Sequence, residues 1–232
     1  MTTEASNAES QGATYRLLSW LSPSFPVGAY AFSHGLEYAV ESGQLRTASE
    51  VESWLADLIT AGSGQSDLRF AAAAWHAGED LAQLADIAAL SLAFCVSAEI
   101  RRESVAQGDA FVATIDAAWP CRAVDTVNAA CRGEVPYPVA VGSIARSHEI
   151  DCHSMLTAYA HGFTANLTSA AVRLVPLGQT DGQRTTANLS DAVADAVALA
   201  AAASLDDISS NTIMSDIASM RHETQYTRLF RS

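Results

Sequence analysis

Lysine is missing from this 232-residue chain; all 13 of its basic side chains are arginines. That absence removes two functional classes at once. A Walker A phosphate loop needs its lysine on the β- and γ-phosphates, and Schiff-base catalysis needs a lysine amine. Cysteine is scarce too: the four residues Cys95, Cys121, Cys131 and Cys152 are widely spaced, with no C-x-x-C pair. A disulfide framework and a zinc knuckle are therefore disfavoured, and a reducing cytoplasm is the natural setting. Six prolines and 13 glycines are too few for a protein built on linkers. Positive charge is in deficit, with a formal net charge of −13. Nucleic acid and anionic membrane are poor partners for such a surface, since affinity for either comes mainly from Lys and Arg. Met1 to Thr14 has neither the basic start nor the apolar run of a signal peptide. No stretch alternates with period two for long enough to be a strand, and no internal repeat appears.

What is present points to helices. Hydrophobic residues make up 49% of the chain, alanine is abundant, and the length suffices for a sizeable core. The expected fold is all-α: a single-domain helical bundle around a central charge-free helix, about 152–174. From Cys152 to Val172 there is no Asp, Glu, Lys or Arg, and at about 1.5 Å per residue this stretch makes a helix of roughly 30 Å. Met155, Leu156, Tyr159, Phe163 and Leu167 do not keep to one stripe, so the helix needs neighbours on most sides. Length and lack of charge also suit a membrane span. His153, Ser154, Thr157, His161, Thr164, Asn166, Thr168 and Ser169 argue against one, because each would need a polar partner inside hydrocarbon.

Around this element the chain divides at capping and breaking residues. Tyr15 to Leu21 reads as a short helix halted by Pro23 and Pro26, and Phe25 and Val27 in that loop read as core plugs. Thr47 and Glu50 form a capping box ahead of Val51, Trp54, Leu55, Leu58 and Ile59 at helical spacing. Gly62 to Ser66 reads as a connection, after which Asp67 caps a short helix to His76. Asp80 starts a long helix reaching Gln107 before Gly108. Further helices are expected over Phe111 to Trp119, Ala123 to Cys131 and Val139 to His148. Asp151 caps the central helix, a loop follows around Pro176, Gly178, Asp181 and Gly182, and Ser190 opens a last Ala/Val helix to Leu205.

Site chemistry is sparse. His148-Glu149 and His222-Glu223 begin like H-E-x-x-H, but the position four after each histidine is Cys152 and Tyr226, so the zinc-protease pattern fails. His148, His153 and His161 are spaced by five and eight and share no helical face. A helical enzyme with a small-molecule pocket at the central helix, using His153, His161 or Tyr159, stands as one reading. The end of the chain supplies the other. Arg221, Arg228 and Arg231 make it locally basic, and it carries Met220, Tyr226, Leu229 and Phe230, residue types favoured at interfaces. Docking to a partner and folding back onto its own body weigh evenly for this segment.

Four blocks resemble the UreF family of urease accessory proteins. They are Leu21-Ser22-Pro23-Ser24-Phe25-Pro26-Val27-Gly28 with Phe32-Ser33-His34-Gly35-Leu36-Glu37; Arg102-Glu103-Ser104 with Gln107-Gly108; Asn166 to Leu174 continuing through Pro176 to Gln183; and Asp216 to Tyr226 ending Arg228-Leu229-Phe230-Arg231-Ser232. Tyr137 and Ala140 leave the Pro136–Gly142 stretch less distinctive. The resemblance implies an all-α, non-enzymatic cytoplasmic protein that helps mature urease. It implies a homodimer that binds UreD (UreH in some species), recruits the nickel-carrying GTPase UreG and acts on apo-urease through that complex. It would have no cofactor of its own, because nickel and GTP are handled by partners, and it would modulate GTP hydrolysis by UreG. The matching division is a disordered tail over 1–13, a helical domain over 14–215 and a partner-docking tail over 216–232. The UreD/UreH-binding candidates are Met220, Arg221, His222, Tyr226, Arg228, Leu229, Phe230 and Arg231. Glu37, Arg102 and Glu103, charged residues inside matched blocks, are candidates for the GTPase side.

Overall fold

The computed structural model describes the backbone of residues 2–202 and 204–232 and the side chains of residues 11–202 and 204–232. The disordered tail expected over residues 1–13 falls mostly on side chains outside that range. In chain order the elements are α1 (Thr2–Trp20), a 3-10 turn (Ala29–Ala31), α2 (Leu36–Glu41), α3 (Ala48–Ala61), α4 (Ser63–Ala77), α5 (Leu81–Ala93) and α6 (Ala98–Ala118). There follow α7 (Arg122–Cys131), α8 (Tyr137–Ser147), α9 (Cys152–Leu174), α10 (Gln179–Asn188), α11 (Ser190–Ala202), a second 3-10 turn (Leu205–Asp207) and α12 (Ile213–His222). Among the described residues there is no strand, and no helix long and apolar enough to cross a membrane.

Several helix starts follow from single side chains. Thr47 N donates to Glu50 Oε2 at 3.0 Å and Glu50 N to Thr47 Oγ1 at 3.3 Å, which completes the capping box of α3. Asp80 accepts from the amides of Ala82 and Gln83, and Asp151 accepts from Ser154 N at 2.9 Å, so α5 and α9 begin where their caps place them. The expected 80–107 helix is in fact two. The chain breaks after Ala93, and Ser97 accepts from Ile100 N at 3.1 Å to restart it as α6. Helix α6 then runs straight through Gly108, which is no terminator. A Cβ there would strike the carbonyl of Val135, so glycine lets the chain entering α8 lie directly on α6. Gly142 plays the same part on the other side of α8, where a Cβ would strike the Ala71 carbonyl of α4. Asp67 is likewise not a cap, because α4 already starts at Ser63. The expected loop around Asp181 is helix α10, opened by Asp181 accepting from Gly178 N at 3.2 Å.

Helix α9 is central, touching α1, α2, α3, α4, α8, α10 and α11. It is not covered all round: His153, Thr157, His161, Ser169 and Arg173 form an exposed stripe, so His153 and His161 share a face after all. Its buried Thr164 returns a hydrogen bond to Ala160 O at 2.9 Å, which satisfies the hydroxyl within the helix. The largest apolar cluster lies between α1, α4, α6, α7, α8, α9 and α11. Phe25 and Val27 are buried in it, with the Phe25 ring 5.4 Å from Phe111, so the proline-rich loop does plug the core. A second cluster joins α2, α3 and the later half of α9, and its outermost member is Phe230, eight residues beyond α12.

Candidate functional site

The end of the chain does not hang free. Helix α12 packs on α2 and α6, and its Ser219 amide would lie 2.8 Å from a Cβ on Gly35, which has φ +81°, so glycine serves both the turn and the contact. Beyond α12 the chain doubles back along the segment ahead of α2. Arg231 N donates to Ala31 O at 2.8 Å, and Ser33 N donates to Ser232 O at 2.9 Å.

Three buried glutamates hold this returning segment. Glu37 on α2 accepts from Leu229 N at 2.6 Å and Phe230 N at 2.9 Å, and its Oε2 also lies 3.1 Å from His222 Nε2. Glu99 on α6 lies 2.6 Å from His222 Nδ1 and accepts from Arg228 Nη1 at 2.8 Å. Glu103, one turn on, accepts from Ser232 Oγ at 2.6 Å. His222 is completely buried between two carboxylates, with each ring nitrogen in hydrogen-bond contact with one of them. Paired and hydrogen-bonded in this way, the acids meet the condition for burying charge. Phe230 is capped from outside by Arg173 of α9, whose guanidinium carbon sits 4.4 Å from the ring centroid.

The outer surface of the same segment is apolar. Ile213, Ile217 and Met220 follow at i, i+4 and i+7 on the solvent side of α12, with Met214 beside them. Leu229 is 67% exposed and Tyr226 wholly so. Arg221 and Arg231 are also exposed. The eight tail candidates therefore divide: His222 and Phe230 are inside, Arg228 is spent on Glu99, and Met220, Arg221, Tyr226, Leu229 and Arg231 face solvent. Of the three charged candidates, Glu37 and Glu103 lie beneath the tail, and Arg102 is exposed.

Behind Glu103 lies a cavity of about 210 Å³ between the 21–30 loop, α6 and α9. Its polar wall includes His34, Asp67, Glu103 and Tyr159. Burial pushes the Asp67 carboxyl up to about 6, although Tyr159 Oη donates to its Oδ2 at 2.9 Å. Burial opposes charge on His34, but the carboxylates of Glu103, Asp67 and Asp216 outweigh it and raise its pKa. Burial also pushes the Cys95 thiol up to about 12, so this wall holds no activated thiolate. Of the residues named for a small-molecule enzyme, His161 and Tyr159 line the cavity, while His153 stands on the exposed stripe of α9. Among the described residues no group of three His, Cys, Asp or Glu is placed to hold a metal ion.

The UreF family model matches residues 45–190. The chain is 48% identical over 231 residues, 98% of its own length and 97% of the other's, to the urease accessory protein UreF of Rhodopseudomonas palustris strain BisA53. The chain belongs to the UreF family of urease accessory proteins. It is 45% identical to the urease accessory protein UreF of Bradyrhizobium diazoefficiens, over 97% of its length and 94% of the other's. For that of Xanthobacter autotrophicus the figures are 45%, 98% and 94%. Membership of this family makes the chain a urease accessory protein and not an enzyme. Sequence reasoning missed Glu99, the partner of both His222 and Arg228. Its only sign was an acid in the mixed-charge start of α6, a pattern that usually marks a solvated face.

Proposed function

We propose that this UreF chain is a non-catalytic adaptor that docks UreD/UreH through the outer face of α12 and the returning tail. Through that partner it recruits the nickel-carrying GTPase UreG to apo-urease and modulates GTP hydrolysis there. The carrying observation is that Ile213, Ile217, Met220, Tyr226 and Leu229 are all left uncovered on one segment whose other side is latched by three glutamates. A segment fixed in place gives up little conformational freedom on docking, and the exposed Arg221 and Arg231 supply the positive rim that an otherwise acidic protein lacks. Arg102 is the accessible candidate for the GTPase side, and Glu37 and Glu103 act there through the tail they hold. The homodimer belongs to the same reading.

The test uses exposed positions, because deleting residues 220–232 would also strip Phe230 from the second core and leave Glu37 and Glu99 without partners. A triple variant, Met220→Ser, Tyr226→Ser and Leu229→Ser, keeps the latch. Coexpressed with UreD/UreH and UreG and sized by chromatography, it is expected to keep the helical signal and melting temperature of the wild type and to lose copurification. Retention of UreD/UreH at wild-type stoichiometry would refute the assignment.

A further inference from the structure

We infer that the cavity beneath the 21–30 loop is a binding site for a small organic monocation: an ammonium group on an apolar body about the size of one aromatic ring. The inference is independent of the docking reading. At about 210 Å³ the space is larger than the roughly 150 Å³ cavity that suffices for benzene in another protein, and it leaves room for a short substituent. Aromatic side chains of Trp20, Phe25, Tyr137, Tyr159 and Phe163 supply the apolar wall and faces that attract a cation. The exposed lining residues Pro23, Tyr30, His161 and Ser169 mark the mouth.

Charge decides the class of ligand. No arginine lines the cavity, whereas two carboxylates do, together with two imidazoles, His34 inside and His161 at the exposed mouth. Asp67 is engaged through Oδ2 alone among the described residues. Glu103 lies 3.4 Å from His34 Nδ1 as an ion pair, without the geometry of a hydrogen bond, so that buried nitrogen has no hydrogen-bond partner. With His34 protonated, one negative charge remains. The Trp20 indole N–H, on a side chain 1% exposed, also has no acceptor. Buried polar groups are normally satisfied, and both nitrogens are donors here, so they point to an acceptor oxygen on the occupant, separate from its ammonium group. A metal ion suits the site less well, because no three ligating side chains converge among the described residues.

The test compares three probes with one hydroxyphenyl body: tyramine, neutral 4-ethylphenol and anionic 4-hydroxyphenylacetate, measured by calorimetry on the full chain. Tyramine is expected to bind at least tenfold more tightly than 4-ethylphenol, with 4-hydroxyphenylacetate weakest. Asp67→Asn is expected to erase the preference for tyramine over 4-ethylphenol. In the wild type the preference is expected to fade below about pH 6, as Asp67 takes up a proton. The groups facing Asp67 are Tyr159 on α9, Tyr137 on α8, Glu103 on α6, His34 ahead of α2 and Cys95. No binding of any probe, equal binding of tyramine and 4-ethylphenol, or a tyramine preference that survives Asp67→Asn would each overturn the inference.

Discussion

Replacing Phe230 by alanine separates what holds the tail from what the tail presents. Phe230 is 4% exposed, packs in the α2–α3–α9 cluster and carries the Arg173 guanidinium on its face. Truncating a buried phenylalanine costs about 3–5 kcal/mol, and the lost cation–π contact adds about 0.5–1 kcal/mol. Because the residue sits on a terminal segment, this cost falls first on local docking of residues 223–232 and only then on global unfolding. About 3 kcal/mol corresponds to about a hundredfold rise in the open population. Trypsin reads that population well here, since the chain has no lysine and the tail offers Arg221, Arg228 and Arg231. Cleavage at Arg228 in Phe230→Ala is expected to be faster than wild type by about two orders of magnitude, with the helical core intact. Leu229→Ser, one residue away but 67% exposed, is expected to leave the rate within a few-fold. Equal cleavage of Phe230→Ala and wild type, or equal acceleration by both variants, would refute the latch.

Two further expectations follow from the interior. Gly108→Ala drives a methyl group into the Val135 carbonyl, and overpacking of this kind costs about 1–3 kcal/mol; urea melts should show a lower midpoint, and an unchanged midpoint would mean that the α6–α8 approach is slack. Asp67 has its pKa raised from 3.8 to about 6, so the folded state binds its proton more tightly than the unfolded chain does. Stability from this group therefore falls as pH rises from about 4 to about 6, and the cost is fully present above that window. The rise corresponds to about 3 kcal/mol before solvent screening at this partly exposed residue reduces it. Asp67→Asn should accordingly stabilise the protein at pH 7.5 and lose that advantage at pH 4, as read by chemical denaturation at both values.

Local grammar made much of the fold legible. The Thr47–Glu50 box, the Asp80 and Asp151 caps and the apolar spacing of α3 are short-range devices whose partners lie within four residues. The charge-free run gave away α9 because a helix without charged side chains has little reason to be wholly at the surface. The misses share a different cause. Gly108 looked like a stop because glycine is weak in helices, yet here its missing side chain is used by a segment 27 residues away. Asp67 looked like a cap because an acid before an apolar run usually is one, whereas it sits one turn inside α4 and faces Tyr159, 92 residues on. Long-range contact overrode local preference at both positions, and no single-segment pattern encodes it.

The tail shows the same limit at the level of function. A cationic, apolar end on an acidic chain suggested something to be held by a partner, and evenly weighed against this was folding back. The geometry shows the folding back, with part of the segment left exposed. His222, Arg228 and Phe230 satisfy Glu99, Glu37 and the second core, while Met220, Tyr226 and Leu229 remain outside. Helical periodicity separates some of these roles in advance, since Met220 shares a face with Ile213 and Ile217 while the adjacent His222 turns inward. After α12 the chain runs through turns and bends, and two neighbouring residues face opposite ways: Leu229 out and Phe230 in. The glutamates of α2 and α6 fix the path of this segment, and the second core seats Phe230 rather than Leu229; α2 and α6 lie more than a hundred residues upstream.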